Sequence, residues 1–277
     1  MTAGSDIAQL PPLREIIRAY DLRAEKKLGQ NFLLDLNLTQ KIAKAAGHVE
    51  HTHLIEIGPG PGGLTRALLN TPAVHVTAIE YDPRAIEALQ SLKDASHGRL
   101  TLIAGDALST DLMCLCDAPR AVVANLPYNI ATPLLIGWLK QIREYQAFKH
   151  LTLMFQKEVA QRIVAPQGSE FYGRLSVMSQ WLCTPKIAFD VSASAFTPPP
   201  KVTSSVVHFI PKTLPPTSPS FSAMEKVTAL AFGQRRKMIR SSLKPYADAV
   251  KACGLDDKKR AEELSVNDFS ALAQAIS

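Results

Sequence analysis

The sequence has few cysteines and no long apolar run. Four cysteines stand among 277 residues, which is too few for a disulfide framework, and none has C-x-x-C spacing. The longest apolar stretches, 121–127 and 133–139, are much shorter than the ~18 residues that a membrane-spanning helix needs. The first residues also lack a basic segment followed by an apolar one, so no signal peptide is predicted. These absences predict a cytoplasmic protein with no membrane segment.

A metal centre is not predicted either. His48, His51 and His53 stand close together, but they precede a predicted strand and no second cluster of ligand residues accompanies them. A solvated connecting loop is the better interpretation of these histidines.

Net charge is absent from the middle of the chain and in excess at its ends. The chain carries +6 overall. Residues 45–209 hold thirteen Lys/Arg and thirteen Asp/Glu, residues 1–44 hold seven against five, and residues 210–277 hold eleven against seven. Within 226–244, six basic residues occur without an acidic one. Such a run is either a solvated helix face or a docking surface for a polyanion.

Apolar strand-like runs alternate with helical patterns before residue 210, after a region, 1–50, that we predict to be a helical extension. Strands are predicted at 53–58, 74–80, 100–106, 121–127, 150–155, 187–192 and 204–210, and helices at 64–70, 83–93, 129–143 and 157–165. This alternation predicts a doubly wound, mostly parallel sheet with helices on both faces, the Rossmann-like α/β class. In such sheets, ligands bind outside the carboxyl ends of the strands.

A proline-rich segment divides the sequence. Residues 211–220 contain four prolines, which favours a linker. We therefore predict an α/β domain over 1–210 and a small all-α domain over 221–277. Its helices are predicted at 222–233, 235–245 and 265–276, the last beginning with a capping box of Ser265 and Asp268.

The turn after the first predicted strand is rich in glycine and proline. Residues 56–63, EIGPGPGG, contain G-x-G-x-x-G, which is typical of dinucleotide sites. Two residues favour S-adenosylmethionine instead. Glu56 supplies an acid suited to the ammonium group of that cofactor, and Pro61 removes an N–H that a pyrophosphate would need. A nicotinamide-dependent oxidoreductase is the alternative that this loop leaves open.

Acidic residues end the next two predicted strands. Glu80 ends one of them, and a carboxylate there accepts hydrogen bonds from both ribose hydroxyls of an adenosine. Asp106 ends the other, where it can reach the adenine amine. With Glu56, these acids predict an adenosine-containing cofactor.

Asn125-Leu126-Pro127-Tyr128 ends the fourth predicted strand and is the most specific signal in the sequence. The N6 amine of adenine is a weak nucleophile because its lone pair is delocalised into the ring. Accepting both N6 protons, through the Asn125 side-chain oxygen and a backbone carbonyl, would free that lone pair. Pro127 holds Leu126 extended, and Tyr128 offers a face for base stacking. These four residues are the predicted catalytic set, acting through placement and electrostatics.

The sequence resembles ribosomal RNA adenine N6-dimethyltransferases of the KsgA type over nearly its whole length. The matching segments are KLGQNFL at 27–33, EIGPG at 56–60, NLPYNI at 125–130, QKEV at 156–159, YGRLSV at 172–177 and FTPPPKV at 196–202. Two departures, Ala124 for a usual glycine and Ala131 for a usual serine, concern fine placement only. The resemblance implies a class I S-adenosylmethionine-dependent methyltransferase fold with a small C-terminal helical domain.

The resemblance also implies a reaction and its partner. The reaction is dimethylation of two adjacent adenosines in the 3′-terminal hairpin of small-subunit (16S) rRNA during ribosome biogenesis. The expected partner is 16S rRNA within the small subunit, bound by a monomer without metal. Each adenine must leave its stack to react.

Site residues follow from the same resemblance. It implies that Asn31 and Leu33 close over the cofactor, that Gly58 contacts its methionine part, that Glu80 and Asp106 hold its adenosine, and that Asn125 joins cofactor to target. Phe196 would stack on the extruded base opposite Tyr128. The residues expected to grip rRNA phosphates are Arg235, Arg236, Lys237 and Arg240.

Two alternatives to this function stay open. An erythromycin-resistance type of enzyme modifies one adenosine of large-subunit rRNA, and its acceptor motif typically carries isoleucine where this chain has Leu126. A ribosome-assembly checkpoint protein could keep the fold and act without turnover.

Overall fold

A mostly parallel sheet organises the first part of the chain. The computed structural model describes residues 3–22, 30–234 and 236–276. The described strands are β1 (Phe32–Leu33), β2 (His53–Ile57), β3 (His75–Glu80), β4 (Leu100–Ala104), β5 (Arg120–Asn125), β6 (His150–Gln156), β7 (Cys183–Val191), β8 (Phe196–Thr197) and β9 (Ser204–Pro211). Seven of these strands form one sheet in the order β4-β3-β2-β5-β6-β9-β7, and β1 pairs with β8 alone.

The pairing directions confirm the predicted sheet class. β2 runs parallel to β3 and β5, β3 runs parallel to β4, and β5 runs parallel to β6. β6 and β9 are antiparallel. Leu54 and Ile55 of β2 and Val122 and Val123 of β5 are fully buried. Adjacent residues point to opposite faces of a strand, so both faces of this sheet are covered, which explains the nearly continuous apolar runs.

Helices follow most of the strands. They are α1 (Ala3–Ala8), α2 (Leu13–Ala19), α3 (Leu36–Ala45), α4 (Gly63–Leu69), α5 (Pro83–Ala88), α6 (Gln90–Ala95), α7 (Tyr128–Tyr145), α8 (Lys157–Val164), α9 (Arg174–Leu182), α10 (Phe221–Gly233), α11 (Ile239–Ser242), α12 (Ala247–Ala252) and α13 (Val266–Ala275). None of the helices in the described ranges is long and apolar enough to cross a bilayer.

Two predicted helices differ from the structure. The helix expected over 83–93 is two helices, α5 and α6, which meet at Leu89. The prediction of one helix over 235–245 was wrong, because Met238 is extended and forms a β-bridge with Arg260. Among the described residues of that range, α11 is the α-helical part, and a 3-10 turn begins at Lys244. By contrast, the capping box at the start of α13 is present: Asp268 N donates to Ser265 Oγ at 3.0 Å, and Ser265 N donates to Asp268 Oδ2 at 2.8 Å.

The chain divides into two compact units. The first comprises the described parts of 1–135 with 147–157 and 187–209, and the second comprises 136–146 and 158–186 with the described parts of 210–277. Two middle segments, which the sequence placed in the 1–210 domain, therefore belong with the C-terminal helices. Within the second unit, Trp181 of α9 lies 6.4 Å from Phe221 of α10 between ring centroids. This apolar contact explains the regrouping, and the domain boundaries at 210 and 220 stay a prediction.

The proline-rich segment 211–220 is tied into the second unit by hydrogen bonds. Arg143 donates from Nη2 to the Ser218 carbonyl at 2.7 Å and from Nε to the Pro219 carbonyl at 3.0 Å. Lys212 N donates to the Leu182 carbonyl at 2.8 Å. The segment expected to be a linker is thus held along much of its length.

Candidate active site

A cavity of about 340 Å³ lies in the first unit at the carboxyl ends of β2, β3, β4 and β5. It brings together the sequence-predicted residues of the cofactor loop, the two strand-end acids and the acceptor motif. Those that line it are Asn31, Leu33, Gly58, Glu80, Asp106, Asn125, Leu126, Pro127 and Tyr128. The sheet topology accounts for this convergence, because parallel neighbours end at the same edge.

Glycine is required in the loop between β2 and α4. Gly60 has φ of +53°, and a Cβ built there would stand 2.9 Å from the Phe32 ring. A Cβ on Gly63 would stand 2.6 Å from the Leu33 carbonyl oxygen. The loop therefore passes directly against β1, which only residues without a side chain permit.

Glu80 is fixed by backbone donors. Its Oε1 accepts from Tyr81 N at 2.8 Å and Asp82 N at 2.9 Å, and its Oε2 accepts from Gly60 N at 3.0 Å. Burial raises the pKa of the Glu80 carboxyl, and the three backbone N–H groups offset part of that rise. Because each carboxylate oxygen can accept two hydrogen bonds, Oε2 keeps capacity for a ligand hydroxyl.

Asp106 stands two residues after the end of β4 and is exposed. Its Oδ1 accepts from Leu108 N at 2.9 Å, which holds the side chain in an Asx turn. Tyr81 and Leu108 are 65% and 51% exposed and also line the cavity. Sequence reasoning missed these two, although their positions one and two residues after Glu80 and Asp106, respectively, were a usable signal.

Asn125 is the last residue of β5 and is anchored across the cavity. Its Nδ2 donates to the Asn31 carbonyl at 3.1 Å. A carbonyl can only accept, so the amide nitrogen must face Asn31, and Oδ1 is left as an acceptor for another donor. The two residues are 94 positions apart in the chain.

Tyr128 begins α7 and is half-buried. Its hydroxyl lies 2.6 Å from Ser204 Oγ on β9, and burial raises the pKa of the phenol. The hydrogen bond fixes the ring at the cavity wall, while Leu126 is 2% exposed. The acceptor motif is thus rigid at both ends.

Glu56 was predicted from the sequence as a negative charge near the cofactor, and its burial was not foreseen. It is 1% exposed, lines the cavity, and has an Oε2 atom without a hydrogen-bond partner among the described residues. The pKa of its carboxyl is raised to about 8, mainly by burial and to a smaller extent by the neighbouring Glu80, against a lowering by Thr65. Burial was the missing information, since an exposed glutamate at this position would titrate normally.

The comparisons with known proteins agree with this geometry. The family described as "Ribosomal RNA adenine dimethylase" matches residues 21–277. The chain belongs to this family. A relative from Xanthobacter autotrophicus, "Ribosomal RNA small subunit methyltransferase A", is 56% identical over 98% of this chain and 96% of its own length.

Solved structures of similar fold include a dimethyladenosine transferase from Plasmodium falciparum. It aligns with a TM-score of 0.71 and 27% identity, over 87% of this chain and 95% of that one. The 23S rRNA methyltransferase ErmE aligns with a TM-score of 0.67 and 24% identity, over 88% of this chain and 99% of that one. These neighbours establish the methyltransferase fold of this adenine dimethylase family member.

Phe196 is buried beside a cavity-lining residue in this member of the adenine dimethylase family. It lies on β8, opposite Leu33 of β1, and is 3% exposed within the apolar core. It does not line the cavity described above. Its stacking role, inferred from resemblance, stays a prediction.

The basic residues expected to contact RNA lie in the second unit. Arg236, Lys237 and Arg240 are exposed and form what we call the C-terminal basic cluster. Arg235 and the KLG of the 27–33 motif lie outside the described residues. Over the part of the chain that the structure describes, no three or more His, Cys, Asp and Glu side chains are grouped to hold a metal ion.

Proposed function

We propose that this protein transfers methyl groups from S-adenosylmethionine to the N6 amines of two adjacent adenosines in the 3′-terminal hairpin of 16S rRNA, during maturation of the small subunit. The observation that carries the proposal is one cavity that holds both Glu80 and Asp106, suited to an adenosine cofactor, and the acceptor motif from Asn125 to Tyr128. The name of the Xanthobacter relative supports the small-subunit substrate.

The residues present fit S-adenosylmethionine. Glu56, Glu80 and Asp106 line the cavity, and no lysine, arginine or histidine stands among its described lining residues. An acidic cavity suits a ligand that carries positive charge, and Glu56, which lines it, has a buried carboxyl oxygen without a hydrogen-bond partner among the described residues. When bound, S-adenosylmethionine supplies an electrophilic methyl group on a positively charged sulfur.

Asn125 and Leu126 orient the attacking amine. Oδ1 of Asn125 and a backbone carbonyl of the motif each accept one N6 proton, which localises the nitrogen lone pair toward the methyl donor. The Asn31 carbonyl holds the Asn125 amide in the required orientation. The N6 proton leaves after the methyl group has been transferred, so these residues need not include a base.

Tyr128 holds the extruded base. The ring offers a flat apolar face, and the Ser204 hydrogen bond prevents it from turning away. Stacking of a base on an aromatic ring contributes about 1–3 kcal/mol. Unstacking an adenine costs roughly a few kcal/mol, so stacking on Tyr128 offsets much of that cost.

The C-terminal basic cluster is proposed to bind rRNA phosphates. Its side chains are exposed and sit in a run without acids, and phosphate contacts position a protein on RNA without reading sequence. We further propose that the protein acts as a monomer, in the cytoplasm, on an assembling particle.

The test is methyl transfer to defined substrates. The purified protein is incubated with labelled S-adenosylmethionine and small-subunit particles, large-subunit particles or naked rRNA, and modified adenines are mapped. We expect two adjacent dimethylated adenosines in 16S rRNA. Labelling of a single large-subunit adenosine would instead support the erythromycin-resistance type, and binding of particles without incorporation would support a checkpoint protein.

A further inference from the structure

The three acids of the cavity differ in how their negative charge is stabilised. Three backbone N–H groups at 2.8–3.0 Å hold the Glu80 carboxylate. Asp106 is exposed and accepts from one N–H. Glu56 is 1% exposed, and its Oε2 is buried and has no hydrogen-bond donor among the described residues. An ionised carboxylate without compensation is costly in such a place.

The surroundings of Glu56 favour its neutral form. Thr65 on α4 lies near enough to lower the carboxyl pKa, but burial outweighs this effect and the pKa stays raised. The titratable groups that line the cavity with Glu56 are Glu80, Tyr81, Asp106 and Tyr128, and each carries negative charge or none. With the pKa raised to about 8, Glu56 is mostly protonated at pH 7 in the ligand-free protein.

We propose that Glu56 couples cofactor capture to proton release: it is neutral in the ligand-free protein and ionises when the ammonium-bearing part of S-adenosylmethionine enters the cavity. The O–H bond of the carboxyl breaks, the electron pair stays on the oxygen, and the proton passes to the buffer. This inference rests on the proposed function, since it assigns Glu56 to the same cofactor. An opposite charge nearby lowers a carboxyl pKa by about 1–3 units, which is enough to move Glu56 through neutrality.

Two consequences distinguish this role from that of a structural buried acid. Cofactor affinity should rise about two- to eightfold between pH 6 and pH 7, because binding at pH 7 releases about 0.4–0.9 proton. A ligand that keeps the adenosine but lacks the ammonium group should show no such rise. The measurements stay at or below pH 7, under the range of about 7.7–8.0 in which an α-ammonium group loses its own proton.

The experiment is isothermal titration calorimetry at pH 7.0 in two buffers that differ in ionisation enthalpy. The ligands are S-adenosylmethionine, S-adenosylhomocysteine, which keeps the ammonium group, and 5′-methylthioadenosine, which lacks the amino-acid part. With the carboxyl pKa lowered by about 1–3 units on binding, we expect release of about 0.4–0.9 proton with the first two ligands and of none with the third.

Two variants locate the proton. Glu56→Gln keeps the size of the side chain and should abolish proton release, while Asp106→Asn, at another acid of the same cavity, should weaken binding and leave the release unchanged. If Glu56→Gln does not fold, the comparison of the three ligands with the wild-type protein decides alone. Binding of S-adenosylmethionine without proton release, or equal release with methylthioadenosine, overturns this inference only. Absence of any binding overturns the proposed function as well.

Discussion

Replacement of Asn125 by alanine tests the acceptor site most directly. The substitution removes the Oδ1 acceptor for the N6 amine and the Nδ2 donor to the Asn31 carbonyl at 3.1 Å. Loss of one aligned transition-state hydrogen bond costs about 2.7–4 kcal/mol, or about 10²–10³-fold in rate. Loss of the hydrogen bond to Asn31 lowers the free energy of unfolding by about 0.5–1.5 kcal/mol.

We therefore expect Asn125→Ala to lower the single-turnover rate of methyl incorporation into small subunits by at least about 10²-fold. RNA affinity should stay within about twofold, because the phosphate contacts are elsewhere. Asn70→Ala, at an exposed asparagine that ends α4, is the matched control and should react at the wild-type rate.

Asn125→Asp separates the two functions of the amide. It keeps an oxygen acceptor but places a carboxylate against the Asn31 carbonyl, so the side chain should turn away and most of the rate should be lost. A rate for Asn125→Ala within about tenfold of wild type would refute the reasoning, since one positioned hydrogen bond accounts for more than that.

Three other changes have calculable outcomes. Gly60→Ala should destabilise the fold by about 1–3 kcal/mol and weaken S-adenosylmethionine binding, as measured by thermal unfolding and calorimetry. The control Gly47→Ala should cost less stability, because Gly47 has φ of +75° but no atom within 4 Å of the added Cβ. Equal losses of stability in the two variants would contradict the steric argument. Replacing the C-terminal basic cluster with alanine should reduce the slope of log affinity against log salt by about 0.7 for each lost phosphate contact, and an unchanged slope would leave the cluster a solvated surface. His150 is 5% exposed, neither of its ring nitrogens has a hydrogen-bond partner among the described residues, and burial lowers its pKa to about 4. Because the unfolded chain then binds the proton more tightly, stability should fall by about 2 kcal/mol between pH 7 and pH 5. In urea unfolding, His150→Phe should remove this loss and the exposed-site control His51→Gln should retain it.

The local pattern of apolar runs in the sequence was sufficient to predict the sheet and the position of the cavity. The apolar runs of β2, β3, β5 and β6 appear in the sequence nearly at their structural bounds. Parallel strands with buried faces leave little freedom in register, so the residues at their carboxyl ends converge without further information. For this reason Glu80, Asp106 and Asn125 could be placed together from the sequence.

Long-range contacts account for what the sequence did not predict. Met238 is held extended by a bridge to Arg260, a pairing that no helical periodicity in 235–245 can indicate. Pairing of β8 with β1 buries the Phe196 ring, a contact that the local sequence does not indicate, while its stacking role stays a prediction. The proton-binding character of Glu56 depends on burial by residues that are distant in sequence, so its charge alone could not define its role.

The ribbon of β1 and β8 has a consequence for the time at which the site becomes complete. β1 covers the glycine loop, and Asn31, the residue just before β1, orients Asn125. Phe32 pairs with Thr197, so β1 has no strand partner until about 165 further residues have been made. At about 5–20 residues per second, a nascent chain carries its cofactor loop for roughly 10–30 seconds before that partner emerges. A methyltransferase that is still being synthesised is therefore expected to be inactive toward the rRNA of any ribosome nearby.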